Sequence, residues 1–309
     1  MLKNESLVTV TVISYNSEKT ILETLNSIGA QTYNKKNIEV VISDDGSKDE
    51  TISIAKEWKL KNHNDFSDVV IVSHSENKGV AANCNQGWKL AKGKWIKSIA
   101  ADDLLLPNCI KDNMEFVMAN PDAKIIFSNM LSFNSNGDNT PIVHDESKIS
   151  CNQREQWHHI LYECYLLAPA GFINKDVLKI VGYADESYPM IEDYPLWFKC
   201  LAYGYSFSYL KENTVLYRRG DSLSQQGARI GNVAYIHSYY RFQKEKIWPE
   251  LPLIMFLKKW DDFVLYNQRI VWIKLFGNKV TVPYVFWNKA MFLIRPYRVY
   301  CLIKKFLLN

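Results

Sequence analysis

The alternation of short β-branched segments with amphipathic helices is the feature that most constrains the fold of this chain. Strands are predicted at 7–15, 38–43, 69–73, 95–100 and 124–133, with helices between them at 18–28, 47–61, 80–91 and 106–119. Strands that alternate with helices through short links form mostly parallel, doubly wound sheets. We therefore expect an α/β domain with helices flanking a Rossmann-like sheet.

Adjacent acidic residues follow two of the predicted strands. Asp44 and Asp45 come after 38–43, and Asp102 and Asp103 come after 95–100. Ligands of open α/β sheets bind at the carboxyl ends of the strands, and buried carboxylates cost several kcal/mol each without a compensating charge. Mg²⁺ or Mn²⁺ carrying a phosphate-bearing substrate is one compensator. The alternative is that both acidic pairs lie in solvated turns. Asp45 could accept hydrogen bonds from a uracil or a ribose, or it could simply stabilise the turn in which it lies.

The second half of the chain has a looser pattern. Ser47 and Glu50 predict a capping box, and the polar segment 134–150 predicts a loop. Helices are predicted at 154–166, 176–180 and 194–203, a strand at 215–218, and mostly helical structure from residue 231.

Four further groups of residues have both a chemical and a structural interpretation. Glu192 and Asp193 either stabilise the first turn of a helix or include a general base. Arg218 and Arg219 either neutralise a diphosphate or lie on the surface. Gly79 and Ala81 indicate close packing of a helix on the sheet. The histidines are interpreted as structural or solvent-facing, with a third metal ligand as the alternative: His144, His158 and His159.

The cysteine content and the N-terminal sequence indicate the cellular compartment of the protein. Six cysteines without a CxxC pair predict free thiols rather than a disulfide or zinc framework. The N-terminus lacks the features of a signal peptide, and no apolar run reaches the roughly 18 residues of a spanning helix. These observations predict a cytoplasmic protein.

The C-terminal segment 231–309 differs in composition from the rest of the chain. It contains 13 Lys and Arg residues, 4 Asp and Glu residues and 18 aromatic residues, whereas residues 1–230 carry a net charge of −5. Apolar residues alternate with cations from Phe292 to Leu307, which is typical of a helix in a membrane interface. A helical tail packed on the catalytic domain is the alternative, and Pro296 kinks or restarts the helix.

Five motifs together resemble the family 2 glycosyltransferases with the GT-A fold. They are VTVISYN, SDDGSKDET, IAADDLLLP, IEDYPLWFK and YRRGDSLS, in the family's order across about residues 6–225. The resemblance implies inverting, Mg²⁺- or Mn²⁺-dependent transfer of a sugar from a nucleotide diphosphate sugar, with UDP favoured. The implied acceptor is a hydroxyl of a glycan or of a lipid-linked molecule. The resemblance also implies a role in bacterial cell-surface polysaccharide synthesis, and no nucleic acid is expected as a partner.

The resemblance also assigns roles to individual residues. Asp103 would ligate the metal, Asp193 would be the catalytic base, and Glu192 and Trp197 would lie on the acceptor side. The remaining positions would bind the nucleotide sugar: Val12, Ser14, Tyr15, Asn16, Asp44, Asp45, Asp102, Arg218 and Arg219. Residues 1–230 would form the catalytic domain, with a donor half at about 1–133 and an acceptor half at about 150–230. Residues 231–309 lie outside the resemblance; their own pattern predicts a helical extension that either contacts the inner face of the plasma membrane peripherally or packs on the catalytic domain.

Three departures from the family pattern keep other functions open. Ala100 replaces the first acid of the LDADD motif, Cys84 stands where arginine is common, and the arginine segment lacks its histidine. A catalytically impaired nucleotide-sugar-binding subunit is one alternative. A sugar nucleotidyltransferase is another, although it would be expected to have a glycine-rich loop with a basic residue near the first strand.

Overall fold

The computed structural model describes residues 6–133, 139–219 and 229–308, and the chain forms two compact units, Met1–Arg219 and Gly220–Asn309. The strands of the first unit are β1 Val8–Ser14, β2 Ile38–Asp44, β3 Asp68–Ser73, β4 Trp95–Ala100, β5 Leu104–Leu105, β6 Ile125–Phe133, β7 Asn139–Ile142, β8 Gly171–Asn174 and β9 Ser208–Arg218. Its helices are α1 Ile21–Gly29, α2 Thr51–Asn62, α3 Val80–Leu90, α4 Cys109–Ala119, α5 Glu146–Ile149, α6 Gln153–Tyr162, α7 Lys175–Val181 and α8 Asp193–Ala202.

The nine strands form one mixed sheet flanked by helices. Its order is β3-β2-β1-β4-β8-β6-β9-β5, with β7 paired to β6. Val8, Val10 and Val12 of β1 have no exposed surface, because β1 lies between β2 and β4 and α3 packs against β1 and β2. Burying each such side chain stabilises the fold by roughly 1.5–3 kcal/mol.

The expectation of a mostly parallel sheet holds for one half of the structure. The neighbours β3, β2, β1 and β4 are parallel, as are β6 and β9. Strands β8, β7 and β5 all pair antiparallel with their neighbours. The sheet is therefore mixed, because the chain beyond β4 returns by antiparallel strands instead of further crossover helices.

Two local predictions were wrong. The Ser47 hydroxyl does not cap α2 but donates to the Asp44 carboxylate, while Asp49 accepts the backbone N–H of Thr51 at 3.1 Å. The predicted loop at 134–150 contains β7 and α5, and its residues 134–138 lie outside the described part of the chain.

The second unit is helical, as predicted. Its helices are α9 Val233–Phe242, which continues through a π-helical turn at Gln243–Ile247 into α10 Trp248–Glu250, then α11 Phe256–Phe276, α12 Val282–Leu293 and α13 Pro296–Leu308. Helix α11 packs against α9, α12 and α13. Pro296 restarts the helix, because proline fits the first helical turn and not the interior. Across residues 6–133, 139–219 and 229–308, no helix has the length and apolar character to cross a membrane.

Candidate active site

The acidic residues after β2 and β4 lie at one edge of the sheet. Ser14 pairs with Asp44 at the ends of β1 and β2, and Ile13 pairs with Ala100 of β4. The strands are parallel and in register, so Asp44–Asp45 and Asp102–Asp103 leave the sheet on the same side. This is the edge at which doubly wound sheets bind ligands.

The two acids after β2 are both bonded within the protein. The Asp44 carboxylate accepts hydrogen bonds from the hydroxyls of Ser14 at 3.1 Å and Ser73 at 2.8 Å, and from the Ser47 backbone at 2.9 Å. The Asp45 carboxylate accepts the backbone N–H groups of Lys78 at 2.8 Å and Gly79 at 2.9 Å. Asp44 thus links three strand ends, and Asp45 holds the segment that enters α3.

The residues after β1 differ strongly in exposure. Val12 has no exposed surface and Ser14 is 1% exposed, which places both within the core of the sheet. Tyr15 is 47% exposed, and exposed Asn16 adopts a φ of +48° while its side chain accepts the Lys48 N–H at 3.0 Å. Among these four predicted nucleotide contacts, Tyr15 and Asn16 are the side chains that a ligand at the edge can reach.

Asp103 is buried at this edge, with 1% exposure. Burial, followed by the negative charge of Asp102, raises the pKa of Asp103 to about 8. Burial also raises the pKa of Asp102. Ionising two adjacent buried carboxyl groups together costs free energy, and a cation bound beside them would lower this cost.

Arg218 at the end of β9 holds the Asp102–Asp103 turn. Its backbone N–H donates to Asp103 Oδ1 and its Nε donates to the Asp102 carbonyl oxygen, both at 2.8 Å. Its guanidinium group also forms an ion pair with Glu23 of α1 and lies 4.6 Å from the centre of the Phe133 ring. Arg219 is exposed, and its backbone N–H bonds the Phe133 carbonyl. The two predicted phosphate-binding arginines therefore have different surroundings.

The donor atoms at this turn fit a hard divalent cation. Carboxylate oxygen is the ligand that Mg²⁺ and Mn²⁺ prefer, and Asp103 with Asp102 supplies it. Over the described part of the chain, no group of three or more His, Cys, Asp or Glu side chains is arranged to hold a metal. His144 is 5% exposed and its Nε2 accepts the Leu167 N–H at 3.3 Å, so it belongs to the core. Further ligands would have to come from substrate and water.

Glycine 79 brings the segment before α8 against the start of α3. Gly79 has a φ of +94°, and a Cβ at this position would lie 2.4 Å from the Pro189 carbonyl oxygen. That carbonyl accepts the Ala81 N–H at 3.3 Å. Asn85 of α3 bonds the Ala184 carbonyl and N–H at 3.0 and 2.9 Å. Gly79 packs against this segment, whereas the sequence predicted packing on the sheet.

Cys84 of α3 connects the two sides of the site electrostatically. Burial raises the pKa of its thiol, and the negative charges of Glu192, Asp193 and Asp45 raise it further. Asp45, Glu192 and Asp193 are therefore all within electrostatic reach of one side chain. A neutral thiol here leaves these acids without the positive charge that an arginine would supply.

Glu192 and Asp193 lie at the start of α8 with raised pKa values. Burial, and then the charge of Asp193, raises the pKa of Glu192 to about 8. Burial raises the pKa of Asp193, while the Tyr194 N–H that bonds its Oδ1 at 2.7 Å opposes the shift. A pKa of about 8 favours the protonated form of Glu192 at neutral pH. Two carboxyl groups in one site, one of them kept protonated by its surroundings, are a recurring pattern of acid–base pairs.

Trp197, which was also predicted to lie on the acceptor side, belongs to α8 and points into the core. It is 5% exposed, and its ring meets Phe127 edge-on at 5.0 Å. Its buried indole Nε1 has no hydrogen-bond partner within the described residues. Trp197 supports the helix that carries Asp193, and its contact with an acceptor stays a prediction.

Sequence reasoning missed Lys97, which is fully buried in β4. Its Nζ donates to the carbonyls of Pro169 at 2.6 Å and Gly171 at 3.3 Å, and its charge lowers the pKa of Asp103 in opposition to burial. A lysine inside the apolar strand WIKSIA was the available signal. The Arg218–Glu23 ion pair had no signal, because the two residues are 195 positions apart.

Comparison with known proteins gives a consistent result. The model of "Glycosyl transferase family 2" matches residues 9–179. An uncharacterized glycosyltransferase of Methanocaldococcus jannaschii is 26% identical over 216 residues, covering 70% of this chain and 71% of the relative. The minor teichoic acid biosynthesis protein GgaB of Bacillus subtilis is 27% identical over 237 residues, which cover 75% of this chain and 25% of GgaB. The match with a Rickettsia typhi glycosyltransferase spans 58% of that relative.

Solved structures share the fold. S. aureus TarS 1–349 in complex with UDP-GlcNAc aligns with a TM-score of 0.57 and 18% identity, covering 86% of this chain and 81% of TarS 1–349. The mannosyltransferase PcManGT of Pyrobaculum calidifontis, in complex with GDP-Man and Mn²⁺, aligns with a TM-score of 0.55 and 16% identity. It covers 96% of this chain and 72% of that enzyme. At these identities the likeness shows the GT-A fold.

Proposed function

Because this chain belongs to glycosyl transferase family 2, we propose that it moves a sugar from a nucleotide diphosphate sugar to an acceptor hydroxyl with inversion. The observation that carries the proposal is the arrangement around α3. Asp45 binds the backbone that enters this helix, Pro189 packs on its first turn, and Glu192 and Asp193 follow three and four residues after Pro189. A donor-side acid and a candidate base therefore frame one site.

A UDP-sugar is the favoured donor. TarS, which shares the fold, was solved with UDP-GlcNAc, and PcManGT was solved with GDP-Man. Tyr15 and Asn16 are exposed beside the acidic edge, where they would contact the nucleotide, and Asp102 would bind the ribose. The diphosphate would then lie towards Asp103.

Asp103 would hold Mg²⁺ or Mn²⁺, and the Mn²⁺ complex of PcManGT supports a divalent cation. When bound, the cation supplies charge stabilisation for the departing diphosphate. Arg218 keeps the turn of Asp102 and Asp103 in place through its backbone and its Nε. Arg219, which is exposed, would be available to the phosphates.

Asp193 would act as the general base. As the acceptor oxygen attacks the anomeric carbon, Asp193 takes the hydroxyl proton, the new glycosidic bond forms, and the bond to the diphosphate oxygen breaks. Attack from the face opposite the leaving group inverts the anomeric centre in one step, without a covalent enzyme intermediate. The raised pKa of Glu192 favours its protonated form, and Asp193 would then serve as the carboxylate for this task.

The acceptor would be a glycan or a lipid-linked molecule of a bacterial cell surface. The relative GgaB is a minor teichoic acid biosynthesis protein, which supports this assignment. Such an acceptor implies a cytoplasmic enzyme that works at the inner face of the plasma membrane, and residues 231–309 are the candidate for membrane contact.

Nucleoside diphosphate release from a panel of UDP- and GDP-sugars, with Mn²⁺, Mg²⁺ or EDTA, tests this function. We expect release from one UDP-sugar, dependent on a divalent cation and stimulated by an acceptor extract. Calorimetric UDP binding without release from any donor would indicate a binding subunit. Formation of a nucleotide sugar from a sugar phosphate and UTP would identify a nucleotidyltransferase instead.

A further inference from the structure

The second unit exposes far more large apolar side chains than the first. Seventeen of them are exposed among residues 229–303, against ten among residues 6–133 and 139–219, although the first unit is much longer. Leu253 is 92% exposed and Leu293 is 76% exposed. Scattered exposed apolar residues are ordinary, but such a concentration indicates an interaction surface.

Three arginines meet where α11, α12 and α13 join. Arg269 belongs to α11, Arg295 lies between α12 and α13, and Arg298 is in the first turn of α13. Burial lowers the pKa of Arg295, the negative charge of Asp261 opposes this shift, and the positive charges of Arg298 and Arg269 lower the pKa further. The junction is fixed, because the Trp260 Nε1 of α11 donates to the Ile294 carbonyl at 2.8 Å. We call these residues the arginine cluster: Arg269, Arg295 and Arg298.

The arginine cluster forms no salt bridge within residues 229–303, and the buried Nε atoms of Arg269 and Arg295 have no hydrogen-bond partner there. The charge of Asp261 acts on Arg295, but the Asp261 carboxylate is bonded to backbone groups and not to a guanidinium group. Asp261 accepts the backbone N–H groups of Tyr297 and Arg298 at 3.4 and 2.6 Å, and Asp262 binds Lys258 at 2.8 Å. Three guanidinium groups with open donors form a site for a phosphate-like anion.

We infer that the second unit docks on an anionic lipid leaflet, with the arginine cluster at the lipid phosphates and the neighbouring apolar side chains in the interface. Leu293 and Ile294 directly precede Arg295, and Tyr300, Leu302 and Ile303 follow Arg298; all five are exposed. Exposed apolar residues beside unpaired cations are the pattern of interfacial binding. The inference deepens the membrane contact proposed above for residues 231–309, and it does not depend on the transfer reaction.

Two other occupants fit these observations less well. A free phosphate would satisfy the arginines but would leave the adjacent apolar side chains in water. A second copy of this chain would bring together two surfaces of the same sign, since residues 231–309 carry a net charge of +9. An anionic leaflet satisfies the charge and the apolar surface together.

Co-sedimentation of the full chain with phosphatidylcholine vesicles, with and without phosphatidylglycerol, tests the inference. The variant Arg269→Gln/Arg295→Gln/Arg298→Gln should partition about a hundredfold more weakly to the anionic vesicles, because each basic side chain near the leaflet contributes roughly fivefold. The matched control Lys244→Gln/Lys274→Gln/Lys279→Gln removes the same charge from exposed positions of this unit and should lose much less. Leu293→Ser/Ile303→Ser should also weaken binding, and circular dichroism establishes that each variant is folded.

Four outcomes would overturn the inference. They are equal binding to neutral vesicles, equal losses for the arginine variant and its lysine control, full displacement from vesicles by millimolar inorganic phosphate, and a dimer in light scattering that the arginine variant dissociates. The last two would assign the cluster to a soluble anion or to a second copy. Because the assay measures sedimentation, its result is independent of whether the protein transfers a sugar.

Discussion

The backbone N–H of Arg218 donates a 2.8 Å hydrogen bond to Oδ1 of Asp103, a residue 115 positions earlier in the chain. The bond joins the end of β9 to the turn after β4, so the buried acid is held by the strand that follows helix α8. Changes at either residue should therefore affect the geometry of the same turn.

The first prediction concerns the charge of Asp103. Asp103→Asn keeps an oxygen that accepts the Arg218 N–H, so the protein should fold, but it removes the carboxylate proposed to hold the cation. Turnover should fall at least about a hundredfold, because stabilisation of the leaving group is lost. Steady-state nucleotide release against Mn²⁺ concentration measures this, with exposed Asp122→Asn as the control. Wild-type activity in the Asp103 variant would show that the cation, if required, binds elsewhere.

The second prediction separates the two functions of Arg218. Arg218→Gln removes the Nε bond to Asp102 and the ion pair with Glu23 but keeps the backbone bond to Asp103. We expect about a tenfold or greater loss of kcat, because small displacements of reacting groups are costly. Arg219→Gln is the matched variant and should chiefly weaken UDP affinity, as measured by calorimetry. If Arg218→Gln weakens UDP affinity and leaves kcat unchanged, Arg218 contacts the phosphates itself.

The third prediction concerns the contact between Gly79 and Pro189. Gly204→Ala measures the backbone cost alone, roughly 1–2 kcal/mol, because Gly204 has a φ of +85° and no atom within 4 Å of the added Cβ. Gly79→Ala adds a clash with the Pro189 carbonyl and should lower the free energy of unfolding further, by roughly 1–3 kcal/mol. Urea denaturation of both variants provides the comparison. Equal losses of unfolding free energy in the two variants would mean that the segment before α8 can move away from the methyl group added at position 79 without destabilising the fold.

The fourth prediction follows from the raised pKa of Glu192. A carboxyl group whose pKa rises from its usual value to about 8 on folding stabilises the folded state fully below the unfolded pKa and loses that contribution as pH rises through 8. Glu192→Gln cannot ionise, so its Tm relative to wild type should increase between about pH 4.5 and pH 8.5. Thermal unfolding across that range measures the difference. A pH-independent difference would place the pKa of Glu192 near its usual value.

The parallel half of the fold was predictable from sequence, because β1–β4 are β-branched and the helices between them have clear apolar spacing. Strand β8 was missed because it has four residues, begins with Gly171, and is defined by pairing with β4 and β6. Strand β7 was missed because its sequence NTPI includes a proline and polar residues. Their antiparallel pairing depends on distant partners, which a local pattern does not contain.

The candidate site was predictable as a set of residues, while their surroundings were not. The positions of Asp44, Asp45, Asp102 and Asp103 followed from acids at the ends of parallel strands. The bonds that occupy Asp44 come from Ser14 and Ser73 on two other strands, and those of Asp45 come from backbone groups at 78–79. Such contacts follow from the assembled sheet rather than from residue type.

The central claim is that Asp193 is the base of an inverting transfer, and the variant Asp193→Asn tests it most directly. The asparagine retains an oxygen that accepts the Tyr194 N–H, so α8 should begin as in the wild type. Single-turnover transfer at saturating donor and acceptor should fall at least about a hundredfold, while the Kd for the donor, measured by calorimetry, should change less than twofold. A variant that transfers sugar at the wild-type rate but binds the donor weakly would contradict the account and assign Asp193 to the donor site.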